Sequence, residues 1–230
     1  MPALAERTAG RWSDLATRTL SSLVLAPIAL ACAWAGGVAF IIIAGAATIG
    51  LAVEWLALCR TRHAVLCAAG LGYIGLAGAA LLWLRLVPPG GRADVLFLLV
   101  VVWAGDIGAY AVGRCFGGPR LAPRISPGKT WSGAVGGLLA SVAAGLLAAY
   151  FLADAGILWR AAVAAGLLGV VAQAGDLLES YVKRRLEVKD SSHLIPGHGG
   201  LLDRLDALMA ASLVAALLAL TLGGGVVLWQ

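Results

Sequence analysis

The sequence predicts an all-α, polytopic membrane protein, a bundle of about seven transmembrane helices within a range of six to nine. Three observations predict it. Of 230 residues, 61% are hydrophobic and only 13% charged, where a soluble domain carries roughly 45–50% apolar and about 25% charged residues. The apolar residues fall into seven runs, each near the roughly 17–25 residues needed to cross a hydrocarbon core. The polar residues gather in two stretches, 114–130 and 183–206. This pattern excludes a water-soluble globule, a disordered tail and a fibrous repeat.

Taken in order, residues 1–19 form a basic tail carrying Arg7, Arg11 and Arg18. No clear cleavage site follows it, so it reads as a cytoplasmic N-terminal segment rather than a leader. Residues 20–230 read as one transmembrane domain with apolar runs at 20–35, 38–58, 64–84, 93–113, 131–152, 161–182 and 207–229. Backbone groups in lipid must be satisfied within their own segment, so the runs are helices. The first run is the shortest, and only Gly36-Gly37 separates it from the second. Gly70-Leu71-Gly72-Tyr73-Ile74-Gly75 spells a dinucleotide-binding pattern, but it lies inside an apolar run with no strand before it. Close helix packing explains those glycines better, as it does Gly133 and Gly137. Cys32, Cys59, Cys67 and Cys115 form no paired motif and read as small buried hydrophobes.

With the N-terminus inside, fourteen of the seventeen basic residues fall on the inner side, leaving Arg85, Arg92 and Arg160 outside. That is a strong positive-inside bias. Both long polar stretches then face the cytoplasm, where nucleotides and metal ions are found. The net charge of +5 reflects attraction to anionic membrane lipids, with no nucleic acid partner implied.

Asp106 and Asp176 interrupt otherwise apolar runs. An aspartate at membrane depth costs a few kcal/mol and normally faces a bundle interior, a cavity or a cation. Asp176, Glu179, Ser180 and Lys183 follow i, i+3, i+4, i+7 and share one helical face. Further on, Asp203 and Asp206 project from one side of a helix start. With Asp176 they offer the hard oxygen ligands that magnesium prefers. Lys183, Arg184, Lys189 and Arg204 interleave with these acids, and Gly197, Gly199 and Gly200 permit close backbone approach. Carboxylates for metal beside cations for phosphate suit a nucleoside triphosphate with its magnesium. In the other polar stretch, Lys129 and the amides around Ser126 can hold phosphate oxygens, although lipid-headgroup attraction explains that loop equally well. Glu54, one turn from the inner end of its helix, could pair with a neighbouring basic side chain, and a direct catalytic role is not expected of it. A transporter using Asp106 and Asp176 as ion sites is the rival from another class, but it leaves the glycine-rich basic segment unexplained.

The stretch running from Ser180 through Lys183-Arg184, Lys189-Asp190, Pro196 and His198-Gly199-Gly200 to Asp203-Arg204-Leu205-Asp206 resembles the signature of the phosphatidate cytidylyltransferases, or CDP-diglyceride synthetases. Gly175-Asp176-Leu177, Ser126-Pro127-Gly128-Lys129-Thr130-Trp131 and Asp106 with Ala109-Tyr110 resemble that family too. The similarity covers the C-terminal half. It implies a catalytic domain that condenses CTP with phosphatidate to CDP-diacylglycerol and pyrophosphate in phospholipid biosynthesis, with Mg2+ and a companion K+. A homodimer in a bacterial inner membrane, its active site facing the cytoplasm, is implied as well. Carried over by position, Asp176, Asp203, Lys183 and Arg204 would be catalytic, and Asp176, Asp203 and Asp206 would hold metal. Ser126, Lys129, Ser180, Arg184, Lys189, His198, Gly199 and Gly200 would contact substrate. Ser132 and Ala207 depart from the family, which often has an acidic residue and a serine there. Cytidylylation of a polyprenyl phosphate is the rival within enzymes.

Overall fold

The computed structural model describes residues 24–59, 64–152, 158–188, 191–192, 200–221 and 228–229. The 1–19 tail, Lys189, Gly197, His198 and Gly199 lie outside the described residues. Seven helices are found among them: α1 (Val24–Ala35), α2 (Gly37–Cys59), α3 (Ala64–Leu86), α4 (Gly91–Phe116), α5 (Trp131–Leu152), α6 (Leu158–Arg185) and α7 (Leu202–Thr221). Six of them, α2 to α7, are long and apolar enough to cross a membrane. Large apolar side chains such as Val38, Ile42, Ile49, Val163 and Val170 stand exposed on the bundle surface, the arrangement expected where the surrounding solvent is hydrocarbon rather than water.

The helices outrun the apolar runs at their charged ends. The fourth begins at Gly91 rather than residue 93, the sixth continues to Arg185, and the last begins at Leu202 rather than residue 207. The added turns hold Lys183, Arg184 and Arg185 at one C-terminus and Asp203 at one N-terminus. Hydropathy excludes such residues from a span, but helix ends attract them, because cations suit the C-terminal dipole and anions the N-terminal one.

Left-handed backbone at Gly36 and Gly37 (φ 69° and 54°) breaks the chain between α1 and α2. Arg85, in the last turn of α3, caps the break: its Nε donates to Ala33 O at 2.6 Å and its Nη2 to Trp34 O at 3.0 Å. A side chain on Gly36 would strike that guanidinium. At the same end of the bundle Arg92 lies over the Trp34 ring.

The most extensive helix pair is α4 with α5, and glycines set its spacing. A Cβ on Gly136 would lie 2.4 Å from Val112, one on Gly137 2.8 Å from Gly105 O, and one on Gly108 2.4 Å from Ala140. Ser141 Oγ bonds Val101 O at 3.0 Å across the same seam. The packing role read for Gly133 and Gly137 therefore holds. It holds for Gly70, which lies against Trp55, but not for Gly72 or Gly75, which face open space. Of the cysteines, Cys59 is buried, whereas Cys115 is exposed, which corrects its reading as a core residue.

The stretch after α4 is shorter than read and carries an antiparallel hairpin, β1 (Arg120–Ala122) with β2 (Ser126–Thr130). Prolines at 119, 123 and 127 fix φ around the turn and leave few competing conformations. Thr130 then caps α5, its Oγ1 accepting Gly133 N–H at 3.1 Å. The residue before that cap is Lys129, so the cap also sets where the lysine stands. The far end of the bundle carries Arg85, Arg92 and Arg160. There Leu228 N–H bonds Asp94 Oδ1 at 2.8 Å, and Trp229 stacks on Phe97 with ring centroids 4.4 Å apart.

Candidate active site

The site forms where α6 meets α7. Gly175 brings the two backbones together: a Cβ there would sit 2.5 Å from Ala210 Cβ and 3.0 Å from Asp206 O. The next residue on α6 is Asp176, and Glu179 follows one turn later on the same face. Both carboxylates therefore confront Asp206, and ligand oxygens of Asp176, Glu179 and Asp206 lie within 4.8 Å of one another. Asp106, from α4, is within electrostatic range of Asp176 and Asp206. Like charges this close in a low-dielectric setting repel strongly unless cations stand among them.

Those cations come from three elements. Lys129 Nζ, on β2, is 2.5 Å from Asp176 Oδ2. Lys183 Nζ, on α6, is 2.8 Å from Glu179 Oε2 and 2.5 Å from Asp203 Oδ1, with only 11% of its side chain exposed. Arg204, on α7, is within electrostatic range of Asp106. Among the described residues, five carboxylates (Asp106, Asp176, Glu179, Asp203, Asp206) face three cations, a formal excess of two negative charges. In addition, Glu179 Oε1 is buried with no hydrogen-bond partner among the described residues. Hard carboxylate oxygens, an excess of negative charge among the described residues and an orphaned oxygen on one of the clustered carboxylates fit a divalent cation such as magnesium.

Asp203 does other work. Its Oδ2 accepts hydrogen bonds from Ser191 N, Ser191 Oγ and Gly200 N at 3.2, 3.1 and 3.0 Å, while its Oδ1 is taken by Lys183. Reaching back three residues to the Gly200 amide, it closes the first turn of α7 as a capping box does. It stands outside the three-carboxylate group, and Glu179, read from the sequence only as a member of the charged face, stands inside it.

Glu54 has partners that sequence reasoning did not name, while its basic neighbours Arg60 and Arg62 lie outside the described residues. It is buried, 3% exposed, and no basic side chain pairs with it among the described residues. Instead Oε1 accepts Leu201 N–H at 2.8 Å and Oε2 accepts Leu202 N–H at 2.7 Å. The hydroxyls of Ser191 and Ser192 bond it as well. A Cβ on Gly200 would fall 2.8 Å from Glu54 Oε1, so the glycine is what lets the carboxylate approach. Glu54 thus supplies an anion to the positive end of α7 and ties α2 to the segment that carries Asp203. The available signal was its position: a lone acid inside an apolar run needs a buried partner, and orphan helix amides serve as well as a cation.

The remaining predicted residues divide. Arg184 Nε donates to Ile125 O at 3.2 Å, pinning the hairpin turn beside Ser126 to the end of α6. Ser180 is half-buried on α6, one turn from Asp176. Gly200 packs against Glu54 and lends its amide to Asp203. A carboxylate cluster ringed by cations at one end of an apolar bundle has the donor chemistry to take a divalent cation and a phosphate-rich ligand together.

Comparison with known proteins gives the family. The profile of the Cytidylyltransferase family matches residues 63–222, a span from the start of α3 to the end of α7 that contains every group of the site except Glu54. A phosphatidate cytidylyltransferase of Brucella suis is 41% identical over 247 aligned positions, covering 87% of this chain and 91% of that protein. Proteins of the same name from Mycobacterium leprae and Haemophilus influenzae are each 44% identical over 57% and 54% of this chain, and 42% and 44% of their own length. The match runs through the helices whose carboxylates and lysines converge, and the chain belongs to the cytidylyltransferase family.

Proposed function

We propose that this protein condenses CTP with phosphatidate, giving CDP-diacylglycerol and pyrophosphate. One observation carries the reading beyond the family likeness: Asp176, Glu179 and Asp206 converge beside Lys129 and Lys183 at the charged end of an apolar bundle. An oxygen of the phosphatidate phosphate attacks the α-phosphorus of CTP. A new P–O bond forms, the α–β phosphoanhydride breaks, and pyrophosphate departs with the electron pair. The attacking phosphate is already ionised, so no side-chain nucleophile is needed.

The barrier is chiefly the repulsion between two anions. Lys129 and Lys183, seated among carboxylates, are poised to exchange those partners for phosphate oxygens, and Arg204 adds a third charge from α7. Asp176, Glu179 and Asp206 would hold a magnesium ion, which supplies charge neutralisation at the triphosphate. Lys129 sits on a hairpin outside the spans, while Asp206 is buried, so the site bridges water and bilayer. The concentration of lysine and arginine at this end, against Arg85, Arg92 and Arg160 at the other, supports a cytoplasmic orientation in a bacterial inner membrane. The test is pyrophosphate release by the purified protein, with CTP, phosphatidate and magnesium each omitted in turn. Release that persists without phosphatidate, or occurs only with a polyprenyl phosphate in its place, overturns the assignment.

A further inference from the structure

Gln173 is the one polar side chain of α6 between Arg160 and Asp176. It stands three residues before Asp176, on the same helical face and one turn deeper in the bundle. An amide side chain in so apolar a setting needs a partner, and this one finds it on α5: Nε2 donates to Ala134 O at 3.1 Å. Ala134 belongs to the first turn of α5, a few residues beyond Lys129. Gly137 leaves room for the contact, since a Cβ there would fall 3.1 Å from Gln173 Nε2.

A second tie joins the same two parts of the chain. Arg184 Nε, near the end of α6, donates to Ile125 O in the hairpin turn at 3.2 Å. Lys129 lies between Ile125 and Ala134 along the chain, and Asp176 lies between Gln173 and Arg184 along α6. The 2.5 Å contact of Lys129 Nζ with Asp176 Oδ2 is thus bracketed by a hydrogen bond on either side. The ion pair cannot fix this register alone, because the flexible lysine stem absorbs a shift of the backbone. Nor does packing fix it. Farther along the α5–α6 seam small residues meet: a Cβ on Gly145 would lie 2.4 Å from Ala165 Cβ, and one on Gly169 2.8 Å from Ser141 Cβ. Such surfaces let backbones approach closely but interlock little. A directional bond at the site end sets where one helix stands on the other.

We propose that Gln173 is a positioning residue: with Arg184 it holds the hairpin against α6, so that the Lys129 ammonium stands at Asp176, where the proposed reaction places phosphate. The inference rests on that reaction for what Lys129 meets. Its first readout needs no turnover.

The chain has three lysines, Lys129, Lys183 and Lys189, which serve as reporters. The purified protein in detergent, without CTP, is treated with limiting acetic anhydride, and acetylation of each lysine is followed by mass spectrometry. Only the free amine reacts, so an ammonium held by a carboxylate is modified slowly. Gln173→Met keeps the length of the side chain and removes its donor. It should raise the acetylation rate of Lys129 relative to Lys183 about tenfold and lower kcat/KM for pyrophosphate release about tenfold, the scale of one interhelical hydrogen bond. Gln173→Leu repeats the test should Gln173→Met fail to fold. Ser141→Ala is the control. It removes a bond of the same kind, Ser141 Oγ to Val101 O at 3.0 Å, from the α4–α5 seam. It should lower the unfolding temperature yet leave the Lys129 to Lys183 ratio within about twofold, as a change without shared partners does. A ratio unchanged in a folded Gln173 variant, or raised equally in Ser141→Ala, overturns the proposal. A raised ratio in a protein whose parent shows no CTP-dependent pyrophosphate release retains the positioning role and sinks the reaction; release with an unchanged ratio does the reverse.

Discussion

Replacing Glu54 by glutamine tests how the charged end of α7 is built. The carboxylate accepts two backbone amides, from Leu201 and Leu202, at 2.8 and 2.7 Å, and charge-assisted bonds of this kind contribute about 1.5–3 kcal/mol each. A glutamine keeps one carbonyl acceptor but turns an NH2 donor toward the second amide. The net loss is therefore about one such bond together with an unsatisfied donor, about 2–3 kcal/mol. Because Ser191 bonds both Glu54 and Asp203, and Gly200, bonded to Asp203, adjoins the Leu201 amide held by Glu54, that loss loosens the segment that orients Asp203 and, through it, Lys183. If all of it is felt in the transition state, kcat falls about 30- to 150-fold. Glu54 is buried and engaged by backbone amides and serine hydroxyls, so KM for CTP and phosphatidate should change little, which distinguishes a positioning defect from lost binding. The assay is pyrophosphate release in detergent, with thermal unfolding followed in parallel to establish that the variant is folded. Ser192→Ala, which removes only one neutral hydroxyl donor, should cost much less. A folded Glu54→Gln protein with kcat within twofold of the parent would refute the reasoning.

Other consequences can be checked alongside. Asp176→Asn and Asp206→Asn should each lower CTP-dependent turnover by about 100-fold or more and weaken the response to added magnesium, since each removes a charged oxygen ligand; chelation with EDTA should abolish activity of the parent and magnesium should restore it. Lys183→Met leaves Glu179 and Asp203 buried without their shared cation and should cost about 3 kcal/mol of stability, visible as a lowered unfolding temperature. Gly136→Leu forces a side chain into Val112 across the α4–α5 seam and should destabilise by about 1–3 kcal/mol, whereas Gly72→Ala, which meets nothing within 4 Å, should be neutral or slightly stabilising.

Much of this architecture was legible in the residues. Lipid solvation leaves helices as the only economical spanning element, so the apolar runs map onto α1 to α7 with shifts of a few residues. Those shifts have one cause: hydropathy ends a span at the first charge, while the hydrogen-bonded helix continues until its terminal groups are capped, as at Asp203 and Lys183. The helical spacing of Asp176 and Glu179 put both on one face correctly. It did not reveal that Glu179, rather than Asp203, joins the carboxylate group, because that depends on how closely Gly175 lets α7 approach. Nor did spacing along the chain foreshadow the bond between Glu54 and the start of α7, a contact spanning 147 residues. The hairpin was hidden for a different reason. Its prolines and glycines announce a rigid turn, but short strands outside the bilayer leave no apolar alternation to read.

The central claim is that the clustered carboxylates and lysines transfer a cytidylyl group to a lipid phosphate. The most direct measurement is pyrophosphate release by the purified protein given CTP and magnesium, with and without phosphatidate, alongside the Asp176→Asn variant. The account predicts release only when all three components are present, stoichiometric with CDP-diacylglycerol, and its near-complete loss in the variant. Release independent of phosphatidate, or undiminished in Asp176→Asn, would contradict it.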